Sequence, residues 1–234
     1  MSPLRVLYLH GLEETADSPK PAAIAADLRV EQHCPALGIW FSHRNSPLLF
    51  AARAGAPVVA AAFVASYLLL GGALAVALST TAISTVAGIL FRDQLVASAV
   101  SGSFSASLSV AEQALRQFNP DVIVGFSWGG ALACSLAIEG KWGGPILLLA
   151  PAHRKMADLM QRPCRAVPFP ARSKVVHSRD DQLVPIEHSR ALCRAASVEL
   201  LEVEGEPHKM WGISGRLPEM VLNLSCDTRD RGSL

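Results

Sequence analysis

Three kinds of residue in this chain can together activate a hydroxyl group. Ser127 stands in Gly125-Phe126-Ser127-Trp128-Gly129, a G-x-S-x-G pentapeptide. Two adjacent aspartates, Asp180 and Asp181, follow in Ser178-Arg-Asp-Asp-Gln-Leu-Val-Pro185, and His208 closes Glu204-Gly-Glu-Pro-His208. A serine hydroxyl is a poor nucleophile at neutral pH and needs an imidazole to take its proton. The imidazole needs a carboxylate to fix its tautomer and to stabilise the imidazolium that forms. The order nucleophile, acid, base implies acyl transfer through a serine ester. The pentapeptide alone is common in unrelated proteins, so its setting decides.

That setting is favourable. Val122–Val124 reads as a buried strand and Ala131–Ile138 as a helix. Strand, tight turn and helix lift a serine Oγ clear of a sheet, the arrangement called a nucleophile elbow. A Cβ at Gly125 or Gly129 would collide with the neighbouring strand or helix. Around this unit the pattern predicts a strand at Leu4–Leu9, then a helix from Pro19 to about Val30 with proline in its first turn. A strand is expected over Leu37–Phe41 and a helix over Ser105–Phe118, with Leu108, Ala111, Leu115 and Phe118 on one face. Ile146–Ala150 is a continuous apolar run, typical of a parallel strand covered on both sides. Residues 151–170 read as an irregular connection with at most a turn or two of helix. A strand at Ser173–His177, a helix at Ile186–Ala196, a strand at Val198–Val203 and a closing helix at Arg216–Leu224 complete the series. Alternating strands and helices predict an α/β three-layer sandwich with a mostly parallel central sheet.

The bulk figures narrow the possibilities. A chain of 234 residues suits one domain spanning 1–234, with an insertion. A net charge of +1 gives no reason to expect a nucleic-acid partner. Five cysteines without paired or zinc-type spacing point to a reducing, cytoplasmic compartment, and Cys134 and Cys193 fall within helices as small apolar residues. Leu4–Leu9 runs straight into a functional turn, so no signal peptide is expected. The chain has no H-E-x-x-H, no G-x-G-x-x-G and no P-loop lysine, so neither a metal nor another cofactor is implied.

Half of the residues are hydrophobic, and the excess is concentrated between Arg53 and Arg92, where no residue is charged. The strands carrying His10 and Ser127 share one sheet in the expected fold, so both flanks of 54–91 lie on one side of any membrane. A single span is thereby excluded. Two arms broken at Gly71-Gly72 would each be roughly 25–29 Å long, marginal against a hydrocarbon core of about 30 Å. The segment reads as an apolar helical lid or packed helices, as a membrane-associating hairpin, or as a gene-model artefact. The sequence leaves these open.

His10-Gly11-Leu12, Gly125–Gly129, Asp181-Gln-Leu-Val-Pro185 and Gly205-Glu-Pro-His208 together resemble the α/β-hydrolase superfamily. The match covers nearly the whole chain except roughly residues 44–100. Within the superfamily the chain is most similar to compact, cap-less bacterial-type serine esterases, whose early loop is similar to Ser18-Pro19-Lys20 here. The resemblance implies Ser127 as nucleophile, His208 as base and Asp181 as acid. In that family the acid lies three residues before a Val-Pro pair, which leaves Asp180 as a turn or cap residue. It also implies an oxyanion hole from the backbone N–H groups of Leu12 and Trp128. The side chain of His10 is then only a turn histidine bonded to backbone.

The implied activity is hydrolysis of small carboxylic esters or thioesters through an acyl-enzyme, with no substrate specified. Trp128 and His153 are candidates for lining the substrate pocket. His33, His43, His177 and His188 read as surface or hydrogen-bonded histidines, with His177 pointing away from Ser127. Pro207 restricts the loop beside His208, and Glu206 adds a carboxylate near it. Two alternative readings follow from the same residues. One is a membrane-associated lipid or acyl hydrolase anchored by 54–91, and the other is a catalytically inactive hydrolase-like binding protein.

Overall fold

A computed structural model describes residues 2–39, 92–170 and 172–225. The apolar segment 54–91 and His43 lie outside the described residues. In chain order the elements are β1 (Leu4–Leu9), α1 (Pro19–Ala25), β2 (Val30–His33), α2 (Arg92–Phe118), β3 (Val122–Phe126) and α3 (Trp128–Ile138). They continue with β4 (Ile146–Leu149), α4 (His153–Leu159), β5 (Lys174–Ser178), α5 (Ile186–Ala196) and β6 (Glu199–Val203). A 3₁₀ turn at Trp211–Arg216 leads into α6 (Leu217–Ser225).

The six strands form one sheet in the order β2-β1-β3-β4-β5-β6, with every neighbouring pair parallel. Successive side chains of a strand face opposite sides, and here both sides are covered. Leu7, Leu9, Ile123, Ile146, Leu148 and Val175 pack with residues of α2, α3, α4 and α5. Val6, Tyr8, Val122, Val124, Leu147, Leu149 and Val176 pack with Ile24 of α1 and Leu217, Val221 and Leu224 of α6. This is why the central strands read as continuous apolar runs rather than as alternating ones.

The chain leaves β1 toward β2 on one side and later returns to place β3 on the other. The strand order therefore reverses between β1 and β3, and sites in open α/β sheets form at the carboxyl ends of strands at such a point. Leu9 lies opposite Gly125 across this junction, so the loops carrying Gly11 and Ser127 emerge side by side.

The structure differs from the sequence expectation in three places. The first helix stops at Ala25 instead of near Val30, and Val30–His33 forms edge strand β2. Asp27 explains this: its carboxylate accepts from the Arg29 N–H at 2.9 Å and its carbonyl accepts from Val30 N–H at 2.9 Å. Such a turn ends the helix, and β1 then pairs with the released segment from Leu4 opposite Val30.

The helix expected from Ser105 begins at Arg92. Ala97, Val100 and Phe104 extend its buried stripe toward the N-terminus, although Gly102 and the interspersed serines are weak helix formers. Finally, Leu37–Ile39, the described part of the strand expected over Leu37–Phe41, is irregular. The Leu37 N–H donates to His10 Nε2 and its carbonyl accepts from Ser107 Oγ, so side chains replace strand partners there. Gly38 breaks the extension at φ 62°. Among the described residues no helix is long and apolar enough to cross a membrane.

Candidate active site

Ser127 sits between the end of β3 and the start of α3 with φ 51° and ψ −109°. A non-glycine residue held in such a region costs about 1–3 kcal/mol, so its surroundings must enforce it. They do so from both sides: Ser127 N–H donates to Leu149 O at 2.9 Å, and its carbonyl accepts from Ala131 and Ala152 N–H at 3.1 and 3.0 Å. The sharp turn brings α3 hard against β1. A Cβ on Gly129 would overlap the Leu9 carbonyl, and one on Gly125 would lie 2.8 Å from Gly130 Cα. The expected need for glycine on both sides of Phe126-Ser127-Trp128 is borne out.

The β1 turn borders the serine directly. A Cβ on Gly11 would lie 3.5 Å from Ser127 Cβ and 2.7 Å from the Phe126 ring. His10 stiffens this turn as a backbone-bonded histidine. Its Nδ1–H donates to Gly11 O at 2.7 Å, and its Nε2 accepts from Leu37 N–H at 3.3 Å. Leu12 follows in the same turn, and Trp128 N–H is the first of α3, where the helix dipole is positive. The Trp128 side chain is wholly buried and stands edge-on to Phe104, with ring centroids 5.3 Å apart.

His208 and Asp181 complete a hydrogen-bonded line with Ser127. His208 Nδ1 lies 2.6 Å from Asp181 Oδ2 and its Nε2 lies 2.9 Å from Ser127 Oγ. A carboxylate can only accept, so the proton is on Nδ1, and Nε2 is free to accept the serine proton. Asp181 leaves the end of β5 in a loop whose own N–H groups fix it: Leu183 and Val184 donate to Oδ1 at 2.8 and 2.9 Å. Its side chain is wholly buried. Burial opposes its ionisation, but hydrogen bonds from His177, His208 and Val184 N–H prevail and hold the carboxyl well below the usual carboxylate range.

The histidine loop is held just as closely. Asp180 Oδ2 accepts from Gly205 N–H at 2.6 Å, which makes it the turn-capping residue that the sequence suggested. Ser178 Oγ donates to the Glu206 carbonyl, while the Glu206 carboxylate accepts from Gly212 N–H at 3.2 Å. Phe126 lies behind the imidazole, 5.2 Å between ring centroids.

Two residues at the site escaped the sequence reading. Lys20, in the first turn of α1, has a wholly buried side chain with its ammonium 2.6 Å from Glu14 Oε1 and 3.7 Å from the centre of the Phe126 ring. It also donates to the Lys209 carbonyl, next to His208. Burial lowers its pKa and the nearby Glu14 opposes that lowering. One cation thereby ties the β1 turn, the end of β3 and the His208 loop together from behind. The Ser18-Pro19-Lys20 run was its only signal. The second is His177, which does not contact Ser127 but reaches Asp181: its Nε2 lies 3.0 Å from Asp181 Oδ2, and the residue is fully buried.

Among the other histidines, His153 begins α4 and its Nε2–H donates to Arg165 O at 2.9 Å; burial lowers its pKa. It stands in the wall between a cavity of about 470 Å³ toward α5 and another of about 230 Å³ between α2, α3 and α4. Among the described residues neither lining includes Ser127, Asp181 or His208. Cys134 and Cys193 are buried in α3 and α5, as expected.

Solved structures of low sequence identity share this fold. A member of the alpha/beta hydrolase superfamily from Xanthomonas campestris pv. campestris aligns with a TM-score of 0.53 at 18% identity, covering 94% of this chain and 96% of that one. Est1E from Butyrivibrio proteoclasticus gives a TM-score of 0.55 at 12% identity, covering 95% and 88%. No protein-family model and no curated protein sequence matches the chain.

Proposed function

Starting from the premise that this chain has the α/β-hydrolase fold, we propose that it is a serine hydrolase acting on small carboxylic esters or thioesters through an acyl-enzyme. The observation that carries this reading is the unbroken line from Ser127 Oγ to His208 to Asp181, at 2.9 and 2.6 Å. Ser127 Oγ attacks the carbonyl carbon as its proton passes to His208 Nε2. The carbonyl π electrons move onto oxygen, and the Leu12 and Trp128 N–H groups receive the charge. When the tetrahedral species collapses, the bond to the alcohol or thiol breaks and His208 returns the proton to that leaving group. Water then repeats the sequence on the acyl-serine, releasing the acid and restoring Ser127. The Asp181 carboxylate stays ionised and stabilises the imidazolium. These steps need no cofactor.

Two families of substrate separate the ester and thioester readings. p-Nitrophenyl esters and acyl thioesters, each from acetyl to octanoyl, should be hydrolysed above the buffer rate by the purified chain. A burst of about one nitrophenol per chain is expected where deacylation is slow. Because Asp181 is already ionised far below neutral pH, a single acid limb is expected in kcat/KM. A folded chain that turns over no member of either family would overturn the proposal.

A further inference from the structure

We propose that His177 is a positioning residue for Asp181. Its Nε2–H holds carboxylate oxygen Oδ2 and takes up part of its charge, which weakens the pull of that oxygen on the His208 proton. This rests on the serine hydrolase reading above.

Oδ2 is shared, with His208 Nδ1 at 2.6 Å and His177 Nε2 at 3.0 Å. His177 Nε2 is also 3.0 Å from the Val184 carbonyl. Two acceptors facing one nitrogen require that nitrogen to carry the proton, so Nε2–H is divided between them. On the other side of the ring, Nδ1 lies 2.7 Å from Ser189 Oγ. The hydroxyl donates to Nδ1 and thereby locks the tautomer. His177 and Ser189 are both fully buried, on β5 and α5. The line of contacts at the site thus has five members: Ser127, His208, Asp181, His177 and Ser189.

The other charges nearby are committed elsewhere. Glu202 is opposite His177 in the β5–β6 register, but its carboxylate is held by Arg179 and Arg190. On α5, Glu187 pairs with Arg190, and His188 is the next residue. The Lys20–Glu14 pair lies behind Phe126, and in the His208 loop the Glu206 carboxylate accepts from Gly212 N–H while Lys209 pairs with Glu13 and lies over Trp211.

A residue that merely filled space would act only on stability. Here Oδ1 stays anchored by Leu183 and Val184 N–H if His177 is lost, so the carboxylate keeps its place. What changes is Oδ2, which then bears more charge toward His208 and holds its proton more tightly.

Two measurements test this. In His177→Leu the acid limb of kcat/KM should move upward by about one pH unit, with the neutral-to-alkaline plateau and KM within about twofold of wild type. At a pH on that limb the rate should fall about tenfold. His177→Gln, which keeps an N–H at similar reach, should restore the wild-type profile. An unmoved acid limb in folded His177→Leu, or a Gln variant that behaves like Leu, would overturn the assignment. The second measurement needs neither variant nor substrate. Nitrogen-15 NMR of the wild-type imidazoles should find the His177 proton on Nε2, and a proton on Nδ1 instead would also overturn it. If wild type hydrolyses nothing, the function is wrong, while the NMR result still decides the Nε2 contact.

Discussion

Ser127→Ala is expected to lower kcat by about 10⁴-fold or more while leaving a folded protein. In the proposed mechanism the hydroxyl oxygen bonds to the acyl group, and neither His208 nor Asp181 can replace it. The backbone strain at φ 51° is the same for alanine, since both residues carry a Cβ. Lost stability should therefore stay within about 1 kcal/mol, the scale of one hydrogen bond. Some rate above water should survive, because the Leu12 and Trp128 N–H groups belong to the main chain and are untouched by the substitution. Adding His208→Ala to Ser127→Ala should cost little more, because the two groups act as a unit. Steady-state kinetics on the best ester, with circular dichroism as the check on folding, measures all of this.

Asp181→Asn should be nearly as damaging to the rate and far more damaging to stability. The Leu183 and Val184 N–H groups would keep the amide oxygen at the Oδ1 position, which turns the amide NH₂ toward His208 Nδ1 and His177 Nε2. Donor would then face donor. His208 can escape by moving its proton to Nε2, but that nitrogen then faces Ser127 with a proton and cannot accept another. A fall in kcat of about 10⁴-fold is expected.

At neutral pH the unsatisfied contacts should cost about 3 kcal/mol of unfolding free energy. The pH dependence follows from the sign of the shift. The folded-state pKa of Asp181 lies below its unfolded value of about 3.9, so the carboxylate's stabilisation is present above that value and lost as pH falls beneath it. The gap between wild type and Asp181→Asn should be widest near neutral pH and should narrow below about pH 4. Urea denaturation at neutral and acidic pH reads both ends.

Much of this site was legible in the chain because its parts obey local rules. Val122–Val124, the two glycines and Ala131–Ile138 each prefer the conformation that the elbow needs, so Ser127 was visible from its own local context. Asp181 was separable from Asp180 only through the family resemblance, and the geometry agrees: one reaches His208, the other caps Gly205. His177 and Lys20 were hidden for the opposite reason. Lys20 acts between distant loops, through the Lys209 carbonyl, and His177 acts through the loop after β5 and Ser189 of α5, which fold onto its ring; no periodicity records either.

The misplaced elements have the same origin. Val30–His33 is a strand because β1 recruits it along one edge, not because its own residues alternate. Leu37 looked like a strand residue because it is apolar and buried, yet His10 and Ser107 supply its backbone partners. The first half of α2 was obscured by serines and a glycine whose weak propensity tertiary packing overrides.

If Ser127 is an activated nucleophile, covalent trapping reveals it without knowledge of the substrate. Purified wild type incubated with a fluorophosphonate should gain the mass of one probe per chain, with the adduct on the peptide carrying Ser127. His208→Ala should label far more slowly, and Ser127→Ala should not label there. A folded wild-type chain that takes up no probe, or takes it up at another residue, would contradict the account.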